Sequence, residues 1–81
     1  MTYVIKAKSN LTGGTYYVRE IDVNYTVEYC VTISMALKFY SLEYPTLAKQ
    51  RIENGMDLYY KSYQLPPKRL LSLSVRHVID L

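Results

Sequence analysis

Very little in this chain could make or break a covalent bond. It holds one cysteine, Cys30, and one histidine, His77. A lone cysteine cannot close an internal disulfide, so the chain reads as a protein of a reducing compartment. Cys30 sits among Tyr29, Val31 and Ile33, surroundings that raise a thiol pKa and suit a small, inert core residue. No nucleophile elbow or Cys-x-x-Cys surrounds it, and a Cys30–His77 dyad would have no third group to orient it. One histidine and one cysteine cannot complete a tetrahedral zinc site, and Glu20, Glu53 and Asp57 stand too far apart to resemble a calcium loop. The adjacent glycines Gly13 and Gly14 lack the lysine-serine ending of a phosphate loop. The expectation is a protein without enzymatic activity, cofactor or metal.

Other scarcities narrow the class. Three glycines and three prolines exclude collagen-like and low-complexity chains. No apolar run approaches the ~20 residues of a membrane-spanning helix, and Met1 to Lys6 is strand-like without the layout of a signal peptide. A cytosolic location with no membrane partner follows as the expectation. There is no tryptophan and one phenylalanine, against ten tyrosines.

What is present suits one small folded domain spanning residues 1–81. Hydrophobic residues make up 49% and charged residues 21% of the 81-residue chain, a balance that argues against general disorder. A chain of this size buries only about 60% of its unfolded surface, so each large apolar residue counts.

Period-two alternation marks the first strand. In Tyr3 to Lys8, Val4, Lys6 and Lys8 share one side, and Tyr3, Ile5 and Ala7 form the apolar other. Asn10 to Gly14 is a turn in which both glycines supply positive φ. Thr15 to Ile21 reads as the returning strand of an antiparallel hairpin, with Tyr17, Arg19 and Ile21 on one face and Tyr16, Val18 and Glu20 on the other. Tyr25 to Ile33 is dense in β-formers and suggests a third strand. Ser34 to Phe39 suits a single helical turn that points Ala36 and Phe39 inward.

Ser41 is placed to cap a helix starting at Leu42, with Glu43 near its positive end and Pro45 where a missing N–H costs little. Leu47, Ala48, Arg51 and Ile52 share one flank, and Asn54-Gly55 supplies a stop after about three turns. Met56 to Tyr63 is a strand candidate ended by Pro66-Pro67. Residues 68–81 fit both a strand and a helix, and the β-branched residues and serines favour the strand. The fold class is α+β: an antiparallel sheet with one main helix packed on one face.

Two features point to binding. Between Leu58 and Ile79 the charged residues are Lys61, Lys68, Arg69 and Arg76, all basic, with Tyr59, Tyr60 and Tyr63 beside the first. A sheet face of tyrosines and basic groups can stack bases and hold phosphates. Tyrosine is also enriched at protein interfaces, and a small core cannot satisfy this many hydroxyls. Several of Tyr16, Tyr25, Tyr29, Tyr40, Tyr44, Tyr59 and Tyr63 must therefore reach the surface. The apolar segment 66–81 either completes the sheet, pairs with a second copy as a homodimer, or docks on another protein. The residues expected to contact a partner are Tyr59, Tyr60, Lys61, Tyr63, Lys68, Arg69 and Arg76.

Tyr3-Val4-Ile5-Lys6, the glycine turn before Tyr16-Tyr17-Val18, Ala36-Leu37-Lys38-Phe39 and the capped helix to Gly55 resemble small accessory proteins encoded by phages of Gram-positive bacteria. The resemblance covers residues 3–63, and the chain beyond Pro66-Pro67 departs from the pattern. It carries no catalytic or binding residues over. It implies a setting in the host-cell cytoplasm and a non-catalytic protein that binds and inhibits a host protein, including a defence factor such as a CRISPR nuclease. The alternative from the residues alone is a nucleic-acid-binding module with a basic, tyrosine-rich sheet face.

Overall fold

The computed structural model describes residues 1–21, 27–53 and 71–79. Four strands form one antiparallel sheet: β1 (Thr2–Ser9), β2 (Thr15–Ile21), β3 (Val27–Cys30) and β4 (Leu71–Val78), in the order β3-β2-β1-β4. A 3-10 turn (Ile33–Met35) and the helix α1 (Glu43–Arg51) lie between β3 and β4 in the chain. This is the α+β architecture expected, with the helix on one face. The strand reading of the C-terminal segment holds for Leu71–Val78, which pairs along all of β1. The strand expected at 56–63, the stop at Asn54-Gly55 and the Pro66-Pro67 break lie outside the described residues.

The hairpin forms because Ser9 and Gly13 solve the turn together. Ser9 is buried, and its Oγ accepts the N–H groups of Leu11 at 3.2 Å and Thr12 at 3.1 Å. Its backbone N–H donates to the Gly14 carbonyl, and its carbonyl accepts the Gly13 N–H. Gly13 adopts φ +77°, a conformation that costs other residues about 1–2 kcal/mol. Of the two glycines in the turn only Gly13 shows positive φ, so Gly14 does not supply the second positive φ that was expected.

One face of the sheet carries the core. Ile5 and Ala7 of β1, Val18 of β2, Val27 and Tyr29 of β3 and Leu71 of β4 pack with Ile52, just beyond α1. Fully burying one such aliphatic side chain contributes roughly 1.5–3 kcal/mol. Ile21 joins them, although simple alternation sets it on the opposite face from Val18. The register explains the change: Val18 pairs with Tyr29 and Glu20 with Glu28, leaving Arg19 as the extra residue of a β-bulge. The bulge reverses the parity of β2, and Ile21 lands opposite Val27 on the core side. Of the tyrosines from which several were expected at the surface, Tyr29 is buried because its strand position faces Val18, whereas Tyr40 and Tyr44 are exposed.

Past Tyr17, β2 parts from β1, and the segment after the 3-10 turn occupies the gap. Leu37 N–H donates to the Val18 carbonyl, while Tyr3 and Phe39 exchange two backbone hydrogen bonds. Ala36 and Phe39 do turn inward, but through extended backbone; the helical turn stops at Met35. Val4, expected on the solvent side with Lys6, is fully buried. The Tyr3–Phe39 register sets the neighbouring Lys38 alongside it. Lys38 Nζ folds back onto the carbonyls of Ile33, Ser34 and Ala36 at 3.0, 3.1 and 2.6 Å, closing the end of the turn.

Helix α1 starts one residue later than expected. Ser41 makes no cap; Leu42 holds the cap position without a side-chain hydrogen bond, and Thr46 Oγ1 donates to its carbonyl. Glu43 occupies the first turn, where the helix dipole favours a negative charge. Pro45 and Ile52 are buried and Ala48 half-buried, so the inward stripe is narrow. Leu47 stays 44% exposed at the edge of that stripe.

Candidate interaction surfaces

Topology separates the two groups that could have formed a dyad. Cys30 lies on β3 and His77 on β4, the two ends of the described sheet. Three inter-strand spacings separate their strands by roughly 14 Å, and a three-residue offset along the sheet adds about 10 Å in the strand direction. Their register positions also face opposite sides, since Cys30 pairs through Tyr17 to the Lys6 side and His77 pairs with Tyr3. Cys30 is half-buried instead of a core residue, and its Sγ donates to the Thr32 carbonyl at 3.4 Å. Burial pushes its thiol pKa up, against the smaller opposing effects of that hydrogen bond and of Arg19 and Lys38. His77 is exposed on β4, its ring centroid 5.3 Å from that of Tyr3. Among the described residues no group of three His, Cys, Asp or Glu could hold a metal ion. No described helix is long and apolar enough to cross a membrane.

Of the residues expected to contact a partner, Arg76 is exposed on β4, opposite Val4. Tyr59, Tyr60, Lys61, Tyr63, Lys68 and Arg69 lie outside the described residues. The surface that the fold does assemble was not singled out by composition or charge. Tyr40, Leu42, Tyr44 and Leu47 are 77%, 56%, 67% and 44% exposed within eight positions of chain. They arise where the extended Phe39 segment turns into α1, whose inward stripe is already filled by Pro45, Ala48 and Ile52. Two signals were legible: the tyrosine excess, which put Tyr40 and Tyr44 among the rings that could reach the surface, and a helix too short to bury Tyr44 and Leu47 as well as that stripe.

Of these, Tyr44 and Leu47 border a cavity of about 380 Å³ between α1 and the sheet. Ile21, Val27 and Phe39 line it from below, Tyr44 and Leu47 from the helix, and Arg51 brings a cation to its wall. No ion pair engages Arg51 among the described residues, whereas Lys49 on the same helix is paired with Glu53 at 2.9 Å. The rim is anchored because Phe39 packs against the core while its backbone is tied to Tyr3. Such an arrangement can accept an apolar side chain and orient it with a carboxylate.

Compared with protein-family models, curated proteins and solved structures, the chain matches none.

Proposed function

We propose that the chain is a non-enzymatic binding protein that docks a protein partner on the Tyr40–Leu47 rim and modulates it. The observation that carries this reading is the run of exposed large apolar residues from Tyr40 to Leu47, of which Tyr44 and Leu47 line a ready-made cavity. Contiguous exposed apolar surface of this kind is a mark of interaction sites. Tyrosine adds wide contact area with few rotatable bonds, which keeps the entropy cost of docking low. The fitting partner presents an aliphatic or aromatic anchor to the cavity and a carboxylate to Arg51. Together with the resemblance to phage accessory proteins, the reading makes the partner a host protein that the chain inhibits, a defence nuclease being one such target.

The test is affinity capture from host-cell lysate with the wild-type chain and a Tyr40→Ser/Tyr44→Ser variant. A stoichiometric partner that the wild type recovers and the folded variant loses supports the proposal. Equal recovery by both, or recovery by neither, contradicts it.

A further inference from the structure

The register gathers charge on the sheet face away from α1. Lys6 and Lys8 share one side of β1, and their β4 partners there are Ser74 and Ser72, with Arg76 opposite Val4. On the other side Lys6 pairs with Tyr17 of β2. Tyr17, Lys6 and Ser74 therefore form a row across three strands. Lys8 lies one repeat along β1, about 7 Å away, and Arg76 sits diagonally at roughly 7–8 Å from Lys6.

Nothing on these strands offsets the charge. Neither β1 nor β4 contains an acidic residue. Lys6, Lys8 and Arg76 have no carboxylate partner among the described residues. Arg76 Nε donates to Ser74 Oγ at 3.3 Å, which leaves the two terminal nitrogens of the guanidinium to reach outward. Glu20 and Glu28 lie on β2 and β3 beyond the bulge, where Arg19 pairs with Glu28 at 3.0 Å. Buried Val4 bounds the open area at one end, so the accessible strip runs from Lys6 to Lys8 and along β4.

We infer that this strip binds single-stranded nucleic acid, with Lys6, Lys8 and Arg76 on phosphates and Tyr17 as a stacking platform for a base. An acidic peptide satisfies the cations equally well, but only a nucleic acid gives the half-buried ring beside Lys6 a partner. Cation spacing of several ångströms along a flat sheet, with an aromatic ring in the same row, is the arrangement sequence-tolerant single-strand binders use. The strip lies on the opposite side of the sheet from the cavity that Tyr44 and Leu47 line, and does not depend on that cavity's function.

Fluorescence anisotropy with a labelled oligo(dT) strand at low salt tests the inference. Binding should weaken with salt with a log–log slope of about −2, as three neutralised phosphates require, and Lys8→Ala or Arg76→Ala should each flatten it by about 0.7. Tyr17→Leu should weaken binding about tenfold at unchanged slope, and Tyr17→Phe should restore it. Thermal melting of each variant establishes that it is folded, and Tyr44→Ser should bind oligo(dT) like the wild type. Absence of binding at low salt overturns the inference. So does equal affinity for poly-glutamate with no effect of Tyr17→Leu, which would make the strip a site for acidic peptide.

Discussion

Tyr3 and Phe39 exchange two backbone hydrogen bonds, 2.8 and 2.9 Å long, across 36 positions of chain. That pair closes the gap left where β2 parts from β1, and it fixes the point from which Tyr40 emerges into solvent. Phe39 is inside and Tyr40 outside because extended backbone alternates its side chains. The candidate docking rim is thus a consequence of how the sheet is sealed. Phe39→Ala should destabilise the protein by about 2–3 kcal/mol, less than for a fully buried ring. Urea denaturation would measure it, and the same variant should lose the partner.

Lys38 provides a second handle on that seal. Its ammonium satisfies three carbonyls of the preceding turn. Lys38→Met keeps the aliphatic stem and removes the donors. A loss of about 1.5–3 kcal/mol is expected, the size of a hydrogen bond to a charged group. Lys38→Arg should recover only part of it, because a planar fork cannot reproduce three converging donors.

The bulge makes a sharper contrast. Arg19→Ala removes a surface ion pair with Glu28 and should cost no more than about 1 kcal/mol. Deleting Arg19 removes the extra residue itself and leaves Ile21 two positions from Val18, on the same core face and still opposite Val27. The deletion should therefore cost far less than Ile21→Asp, which places a charge on that face, a difference visible in chemical denaturation midpoints.

Turn chemistry is separable in the same way. Gly13→Ala must adopt φ +77° and should cost about 1–2 kcal/mol. At Gly14 an added Cβ meets Thr12 Oγ1 and Tyr16 Oη at 3.3 Å without a positive φ, so Gly14→Ala should cost less. Ser9→Ala leaves two N–H groups without their acceptor and should cost about 1–3 kcal/mol.

Cys30 carries a pH signature. Its folded thiol pKa is raised by burial, so the neutral form is favoured in the native state. The associated stability is fully present below the unfolded thiol's pKa and is lost as pH rises through the higher folded value. Stability should therefore be flat near neutrality with respect to this group and fall only in the alkaline range. Disulfide-exchange labelling near pH 8 should be slower for the folded chain than for the urea-unfolded one.

Much of this fold was legible because strand parity and turn chemistry are local. The Lys6–Lys8 alternation marked β1, Gly13 marked the turn, and the alternating leucines and serines after Leu71 marked β4. The face of Ile21 was not legible, since a bulge is a property of pairing between two strands. Nor was the extended course of Ala36 to Phe39, which follows from a gap that exists only once β1 and β2 have diverged. The rim was hidden for the same reason. Tyrosine abundance said that rings must reach solvent, but burial of Tyr29 and exposure of Tyr40 and Tyr44 depend on register and on where α1 begins.

Photo-cross-linking tests the docking rim most directly. A benzophenone side chain would be placed at Leu47, beside the cavity, and in a separate variant at Leu11, an exposed apolar position on the distant hairpin turn. Irradiation in host-cell lysate should yield one discrete cross-linked protein from the Leu47 variant and none from the Leu11 variant. The same adducts from both positions, or none from Leu47, would contradict the account.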